Sequence, residues 1–257
     1  MKSARPYWLL ALPLVVVLAA CGGGGEEPPA AGGEEGPGSP GGQPTGGSTV
    51  SGVVNFTGTA PDPEPILMDA EPICQEQFPD GVFTETVVIN DNGTLQNVFL
   101  SVTEGLPDQV WEVPSDAVLL DQKGCRYFPH VLGVQADQDI VIRNSDGILH
   151  NIHPMPTLNR PFNIGQPVEM DTTRQFPTPE IMIPVECDVH DWMMGYVGVV
   201  DHPFFAVTGS DGSFEISGLP AGDYVIEAWH ELYGTQTLSV SIPEGGTEQI
   251  EFTYEGA

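Results

Sequence analysis

The sequence is poor in positive charge. It has seven Lys and Arg residues against 36 Asp and Glu residues, for a formal net charge of −29. A chain this acidic is repelled by the phosphate backbone, so its charge excludes nucleic acid as a partner. The same imbalance excludes docking on anionic lipid through a basic patch. Any attachment to a membrane therefore has to depend on something other than positive charge.

Sustained helical periodicity is also lacking. Gly (31) and Pro (25) exceed typical usage, and short β-branched and aromatic runs alternate with turn signals such as Asn92-Gly93 and Asp211-Gly212. This pattern predicts an all-β protein of one or two sandwiches. The predicted strands are Val50–Phe56, Thr86–Ile89, Asn97–Val102, Ala117–Leu120, Ile140–Arg143, Ile181–Val185, Tyr196–Val200, Phe214–Ile216, Tyr224–Trp229, Thr237–Ile242 and Gln249–Tyr254.

The N-terminus has the layout of an export signal, with a basic start and an apolar run that is short for a bilayer span. Its end, Leu18-Ala19-Ala20-Cys21, resembles the lipobox of bacterial lipoproteins. That resemblance implies a signal peptide over residues 1–20 and a lipid anchor on Cys21, and a plain signal peptide is the alternative. Residues 21–47 lack large apolar side chains and predict a disordered tether. We expect an exported protein, held on the membrane by lipid and facing the periplasm or the cell exterior.

Cysteine is scarce, and the count is informative. Lipidation of Cys21 would leave three cysteines, an odd number for an exported protein. The simplest solution is a Cys74–Cys125 disulfide with Cys187 kept as a metal-binding thiolate. In the alternative, any two of the three cysteines pair and the remaining one is buried and inert.

The sharpest motif is Cys187-Asp188-Val189-His190-Asp191-Trp192-Met193-Met194, which puts a thiolate, an imidazole and a thioether on one short loop. Upstream, a strand ending at Asn144 leads to His150-Asn151, which supplies a second imidazole. Two histidines, one cysteine and a weak axial methionine are the ligands of type 1 copper. Zinc and a metal-free core cysteine are the alternatives.

These residues resemble the cupredoxins (plastocyanin, pseudoazurin and amicyanin) over residues 118–201. The resemblance implies a Greek-key sandwich and one type 1 copper site. It assigns the equatorial ligands to His150, Cys187 and His190 and the axial ligand to Met193, and it gives Asn151 the role of fixing the cysteine loop. Met194 could replace Met193 or fill the core. His153 is a weaker candidate, because strand alternation puts it on the face opposite His150. A histidine ligand near the surface would let electrons leave. Pro184-Val185 departs from the family, which more often has an aromatic residue there.

A second resemblance follows the copper motif. The pattern resembles the carboxypeptidase regulatory-like (transthyretin-like) sandwich, whose motif carries no catalytic residue. It consists of Thr208, Asp211-Gly212, Phe214, Ile216, Leu219-Pro220, Gly222 and Tyr224. The strands that normally begin this fold lie before the copper region. We therefore expect a discontinuous sandwich over residues 48–105 and 203–257, with the cupredoxin domain inserted, and two domains in series are the alternative.

The sequence thus predicts a membrane-tethered electron carrier and no enzyme. Glu186 and Asp188 flank Cys187, where copper oxidases and reductases need histidine. The alternatives are copper delivery, with His153 and Met155 contributing, and a surface binding module with a structural metal site. The five cations beyond the signal peptide all lie between Lys123 and Arg174. The acidity favours either a basic redox partner, such as a c-type cytochrome, or adaptation to high salt.

Overall fold

The structure, a computed structural model, describes residues 47–257. The predicted signal peptide, Cys21 and the tether up to residue 46 lie outside these residues. Sixteen strands and one five-residue helix make up the described part, so the all-β prediction is confirmed. No helix in that part is long and apolar enough to cross a membrane.

The elements follow one another with short connections. In chain order they are β1 (Ser48–Thr57), α1 (Pro72–Glu76), β2 (Phe99–Glu104), β3 (Val118–Gln122), β4 (Tyr127–Phe128), β5 (Val131–Gln135), β6 (Ile140–Asn144), β7 (His150–Pro154), β8 (Ile164–Gln166), β9 (Met170–Arg174), β10 (Glu180–Glu186), β11 (Met194–Val200), β12 (Phe205–Val207), β13 (Ser213–Leu219), β14 (Gly222–His230), β15 (Gly234–Ile242) and β16 (Thr247–Glu255).

Two sheets combine strands from both ends of the described chain, and we call them the flanking sandwich. One has the order β13-β1-β16 and the other β12-β2-β14-β15. Their inward residues, among them Val50, Leu100, Ile226 and Phe252, form one buried cluster. The alternation of buried and exposed residues along β14 and β16 is what a strand with one solvated face requires.

The strands between them in sequence form two further sheets, which we call the central sandwich. Their orders are β5-β11-β10-β7-β8 and β4-β3-β6-β9. A second buried cluster lies between these sheets and includes Ile142, Ile152, Val185 and Val197. Residues of the segment before β2, Met68 and Cys74 among them, also belong to this second cluster.

Two paired glycines bring the sandwiches into contact. Gly133 of β5 and Gly198 of β11 lie side by side on adjacent strands. A Cβ atom on Gly133 would lie 2.6 Å from the Phe205 ring, and one on Gly198 would lie 3.0 Å from the Phe99 ring. Both aromatic rings come from the flanking sandwich, so the missing side chains make room for them.

The strand predictions were wrong at two kinds of place. Thr86–Ile89 forms no strand, because the chain turns back at once: the Asn90 amide bonds to the Thr94 carbonyl at 2.8 Å and leaves Ile89 a single bridge. Conversely, β7, β8 and β9 were not predicted. They are polar or very short, and pairing with neighbouring strands overrides their weak local preference.

Candidate metal centre

Three side chains with metal-binding atoms converge beside the five-stranded sheet of the central sandwich. His150 begins β7, Cys187 directly follows β10, and His190 lies in the loop that leads to β11. All three are buried, and their donor atoms lie within 4.8 Å of one another. The Nδ1 atoms of the two histidines are 2.9 Å apart, and the Cys187 sulfur lies 3.9 Å from Nδ1 of His190. The two imidazoles thus present the same ring nitrogen to one point.

Strand pairing explains why three side chains so far apart in sequence meet. β10 pairs with β11 on one side and with β7 on the other. Glu186, the last residue of β10, lies opposite both Met194 and His153. The loop over residues 187–193 therefore closes between adjacent strands, next to the start of β7.

Asp146 fixes the orientation of His150. Its Oδ2 atom lies 2.9 Å from Nε2 of His150 and also accepts the amide of Cys125 at 2.7 Å. Its Oδ1 atom accepts the amide of Gly124 at 2.8 Å. Burial opposes ionisation of this carboxyl group, but the bonds from His150 and the two amides lower its pKa. A carboxylate on Nε2 leaves Nδ1 of His150 free for a metal.

Cys187 has the character of a thiolate. It is buried and is the free cysteine of the described residues, since Cys74 and Cys125 form a disulfide. Burial raises its pKa, but contacts with His150 and His190 and the amides of Asn151 and His190 lower it to about 6. Burial lowers the pKa of His150, and its bonds to Asp146 and Cys187 raise it above the ordinary value. A metal at this point would therefore displace a proton from the His150–Cys187 pair.

Asn151 joins the two ligand-bearing segments. Its side-chain oxygen accepts the amide of Asp188 at 2.6 Å, and its side-chain nitrogen donates to Asn163 at 2.7 Å. The residue after His150 is thus bonded to the residue after Cys187.

Tyr127 is a supporting residue that the sequence analysis missed. Its buried hydroxyl donates toward the carbonyl oxygens of Asn151 and Glu186. Burial raises its pKa, and the negative charges of Cys187, Asp188 and Glu186 raise it further, so the hydroxyl keeps its proton. Its place in an apolar strand offered no signal of this role.

The two adjacent methionines differ in burial. Met193 is 1% exposed and shares the buried cluster of Cys187. Its amide donates to the carbonyl of His190 at 3.0 Å, which closes the ligand loop. Met194 is 40% exposed, and its sulfur accepts the hydroxyl of Tyr196 at 3.6 Å. Of the two methionines, only Met193 is therefore buried in the same cluster as Cys187.

The remaining histidines stand apart from the donor set. His153 is half-exposed, and its Nδ1 atom lies 2.8 Å from Asp188. His130 bonds to Glu231, and His202 bonds to the carbonyl of Val102. His230 accepts the amides of Leu232 and Tyr233.

From the sequence we expect a histidine ligand near the surface, and in the structure both His150 and His190 are buried. His190 is 3% exposed, because Trp192 lies over its ring with centroids 5.0 Å apart and an interplanar angle of 38°. The indole nitrogen of Trp192 donates to the carbonyl of Cys125 at 3.0 Å. An indole, only partly buried itself, thus separates His190 from solvent.

The donor set fits a soft or borderline metal ion. One thiolate and two imidazoles suit copper or zinc, and hard oxygen-binding ions are disfavoured because the nearby Asp146 carboxylate is already bonded to His150 and two amides. Nε2 of His190 is buried and has no hydrogen-bond partner within residues 47–257. In a second group of ligand-type atoms, formed by Cys125, Asp146 and His150, the cysteine is disulfide-bonded and so cannot contribute a thiolate.

Comparison with known proteins gives partial similarity. No protein-family model and no curated protein sequence matches the chain. Among solved structures, it is similar to a copper-containing nitrite reductase from Thermus scotoductus SA-01, with 16% identity and a TM-score of 0.31 over 38% of this chain and 25% of that one. The chain thus spans a quarter of the reductase's length.

Two smaller proteins match over nearly their whole length. One is a purple cupredoxin from Nitrosopumilus maritimus, with 18% identity and a TM-score of 0.28 over 32% of this chain and 99% of that one. The other is an oxidised amicyanin variant, with 18% identity and a TM-score of 0.31 over 38% of this chain and 100% of that one.

Proposed function

We propose that the chain is a type 1 copper protein that carries single electrons. His150, Cys187 and His190 would hold the metal, and Met193 would be the weak axial ligand. The observation that carries the proposal is the convergence of two Nδ1 atoms and one sulfur, all buried, within 4.8 Å. Copper bound there would supply a one-electron redox couple.

The supporting contacts favour electron transfer over other copper chemistry. A carrier needs ligands that move little when the metal changes its oxidation state. Here Asp146 orients His150, Asn151 ties the Cys187 loop, and Tyr127 bonds to both ligand segments. Such outer contacts fix ligand orientation in metal proteins.

The decisive experiment is a visible spectrum of the protein with Cu(II). We expect an intense thiolate-to-copper absorption band from the wild-type protein and one bound copper per chain. Cys187→Ala should abolish the band. His153→Ala is the matched control, because it removes a nearby histidine outside the donor set and should leave the band in place. A colourless wild-type protein, or a Cys187→Ala variant with unchanged copper affinity, would refute the proposal.

Location and partner are further parts of the proposal. The lipobox resemblance at Cys21 supports a lipid-anchored protein outside the cytoplasm, and incorporation of labelled palmitate into wild type but not Cys21→Ala tests it. The net charge of −29 supports a basic redox partner such as a c-type cytochrome. Electron transfer to that cytochrome should slow as salt is added. A rate independent of ionic strength would favour the alternative, adaptation to high salt.

We treat the two sandwiches as two domains, the central one inserted into the flanking one. On this proposal the flanking sandwich, expected over residues 48–105 and 203–257, is a scaffold, although Met68 and Cys74 within that range pack in the core of the central sandwich. Copper delivery, the alternative function, would need His153 and Met155 as a second contact. His153 belongs to none of the groups of His, Cys, Asp and Glu side chains within residues 47–257 that could hold a metal, so the structure gives this alternative no support.

A further inference from the structure

Cys125 lies in a tight turn between β3 and β4 and is completely buried. Its backbone has a φ of 53°, the left-handed region that residues other than glycine seldom adopt. Such a conformation costs on the order of 1 kcal/mol and persists where the surroundings enforce it. The disulfide to Cys74 is one constraint of this kind.

Further contacts hold the same turn against residues 65–85, which we call the covering segment. The guanidinium of Arg126 lies 5.1 Å from the centre of the Phe78 ring and 3.4 Å from Glu85. A Cβ atom on Gly124 would lie 2.9 Å from Phe78. The turn and the covering segment are therefore packed closely on both sides of the disulfide.

The amide of Cys125 supports one histidine of the metal centre. It donates to Oδ2 of Asp146 at 2.7 Å, the same oxygen that lies 2.9 Å from Nε2 of His150. A shift of the turn would move this carboxylate, and the imidazole would lose its fixed orientation. Contacts of this kind tune a metal site from outside its ligands.

The carbonyl of Cys125 supports the other histidine. It accepts the indole nitrogen of Trp192 at 3.0 Å, and the Trp192 ring covers His190. The two backbone polar groups of one residue thus reach both imidazoles, one through a carboxylate and one through an indole. The sequence gives no sign of this arrangement, since Trp192 and Cys125 are 67 residues apart.

We propose that Cys125 and Trp192 are positioning residues of the metal centre, and that the Cys74–Cys125 disulfide holds Cys125 where it supports both histidines. The effect on the metal rests on the proposed copper function. The effect on the metal-free site does not, because the contacts exist within the protein itself. This difference allows the two proposals to be tested separately.

The test uses the full chain and two readouts. The first is the rate at which iodoacetamide alkylates Cys187 in the metal-free protein, followed at that peptide by mass spectrometry. The second is the reduction potential and absorption band after Cu(II) is added. The variants are Trp192→Phe, which keeps a ring but loses the bond to Cys125, and Cys74→Ala with Cys125→Ala. Trp111→Phe is the control, because Trp111 packs on Phe204 in the core of the flanking sandwich.

We expect both variants to accelerate alkylation of Cys187 by about threefold to tenfold, the range that corresponds to the loss of one hydrogen bond. Both should also shift the potential and the band. Their effects should not add when combined, since both act through Cys125. Trp111→Phe should change neither readout, even if it lowers the melting temperature.

Unchanged alkylation and unchanged potential in Trp192→Phe would overturn the positioning role of Trp192 and of its bond to Cys125. Effects of Trp192→Phe that add fully to those of the cysteine variant would overturn the shared route. If the cysteine variant does not fold, Trp192→Phe decides. If wild-type protein gives no copper band, the proposed function fails, and the alkylation rates alone decide this inference.

Discussion

The hydroxyl oxygen of Tyr127 lies 2.6 Å from the backbone carbonyl oxygen of Asn151. The same hydroxyl lies 2.8 Å from the carbonyl of Glu186, so one side chain bridges the residue after His150 and the residue before Cys187. A link between the two strands at this point holds the candidate ligands His150 and Cys187 at a fixed separation in the metal-free protein. Removal of this one hydroxyl oxygen therefore tests how far the centre is preorganised.

We expect Tyr127→Phe to lower the free energy of unfolding by about 1 to 3 kcal/mol, because the carbonyls of Asn151 and Glu186 lose the one hydroxyl proton that they share. Tyr254→Phe is the matched control, since the Tyr254 hydroxyl bonds to the carbonyls of Ala228 and Gly234 in the flanking sandwich. Urea denaturation should show a similar loss for both variants. Only Tyr127→Phe should change the copper band, and an equal change in Tyr254→Phe would contradict the assigned role.

Replacement of each methionine separately should identify the axial ligand. We expect Met193→Leu to raise the reduction potential, because removal of a thioether donor destabilises Cu(II) more than Cu(I). Met194→Leu should leave the potential unchanged, since that side chain is exposed and bonded to Tyr196. Each swap nearly conserves volume and should cost less than about 1.5 kcal/mol of stability. Cyclic voltammetry checks both variants, and a reversed order would assign the ligand to Met194.

Protonation of Glu180 at acidic pH should weaken the loop that follows β7. Its carboxylate accepts bonds from Thr157, from the amide of Leu158 at 3.1 Å, and from the amide and side chain of Asn159. Burial opposes ionisation, but the bonds from Thr157 and Asn159 lower the pKa to about 2. A carboxyl group whose pKa is lower in the folded state stabilises above its unfolded pKa, near 4.5, and loses this effect as pH falls toward 2.

Glu180→Gln should therefore be less stable than wild type at pH 7, by about 1 to 2 kcal/mol for a lost charge-assisted bond. The difference should narrow steadily between pH 5 and pH 2.5. Urea titrations of both proteins across this range measure it. A difference that does not change with pH would mean that the ionised carboxylate is not what holds the loop.

A buried pair joins the two sandwiches. His130 and Glu231 are 2.9 Å apart, and both side chains are almost completely buried. Burial raises the pKa of Glu231, but the bond to His130 and its charge lower it below the ordinary value.

Glu231→Ala should lower the free energy of unfolding by about 3 kcal/mol, because it leaves His130 buried without its partner. In a double-mutant cycle the loss in Glu231→Ala and His130→Ala together should be well below the sum of the single losses. Additive losses would show that the pair is not coupled.

Much of the fold could be predicted because its strands have local signatures. Val50–Phe56 and Tyr224–Trp229 were predicted from β-branched and aromatic residues, and each lies within a strand of the structure. By contrast, β9 (Met170–Arg174) has only one partly buried residue and exists because β6 pairs with it along its whole length. A strand that depends on its partner has no signal of its own.

The candidate ligands could be predicted because their spacing is local to two short motifs. Their supports could not, because each contact joins residues that are remote in sequence. In the sequence Asp146 is an ordinary turn residue, and only the folded structure shows that the amides of Gly124 and Cys125 bond to it. The burial of His190 under Trp192 could not be predicted either, since the indole is held by the carbonyl of Cys125, which is remote in sequence.

The parallel pairing of β1 with β16 joins strands from the two ends of the described chain. Asn55 and Glu251 bond to each other across 196 residues, whereas β10 pairs with the adjacent β11. Contacts between remote residues form slowly, because the entropy of closing the loop has to be overcome first. We therefore expect the seam between β1 and β16 to form later in folding than local pairings such as β10 with β11. A chain in which β16 has not yet docked would expose β1 as a sheet edge, and such an edge can pair with another chain, so slow closure of this seam would favour aggregation.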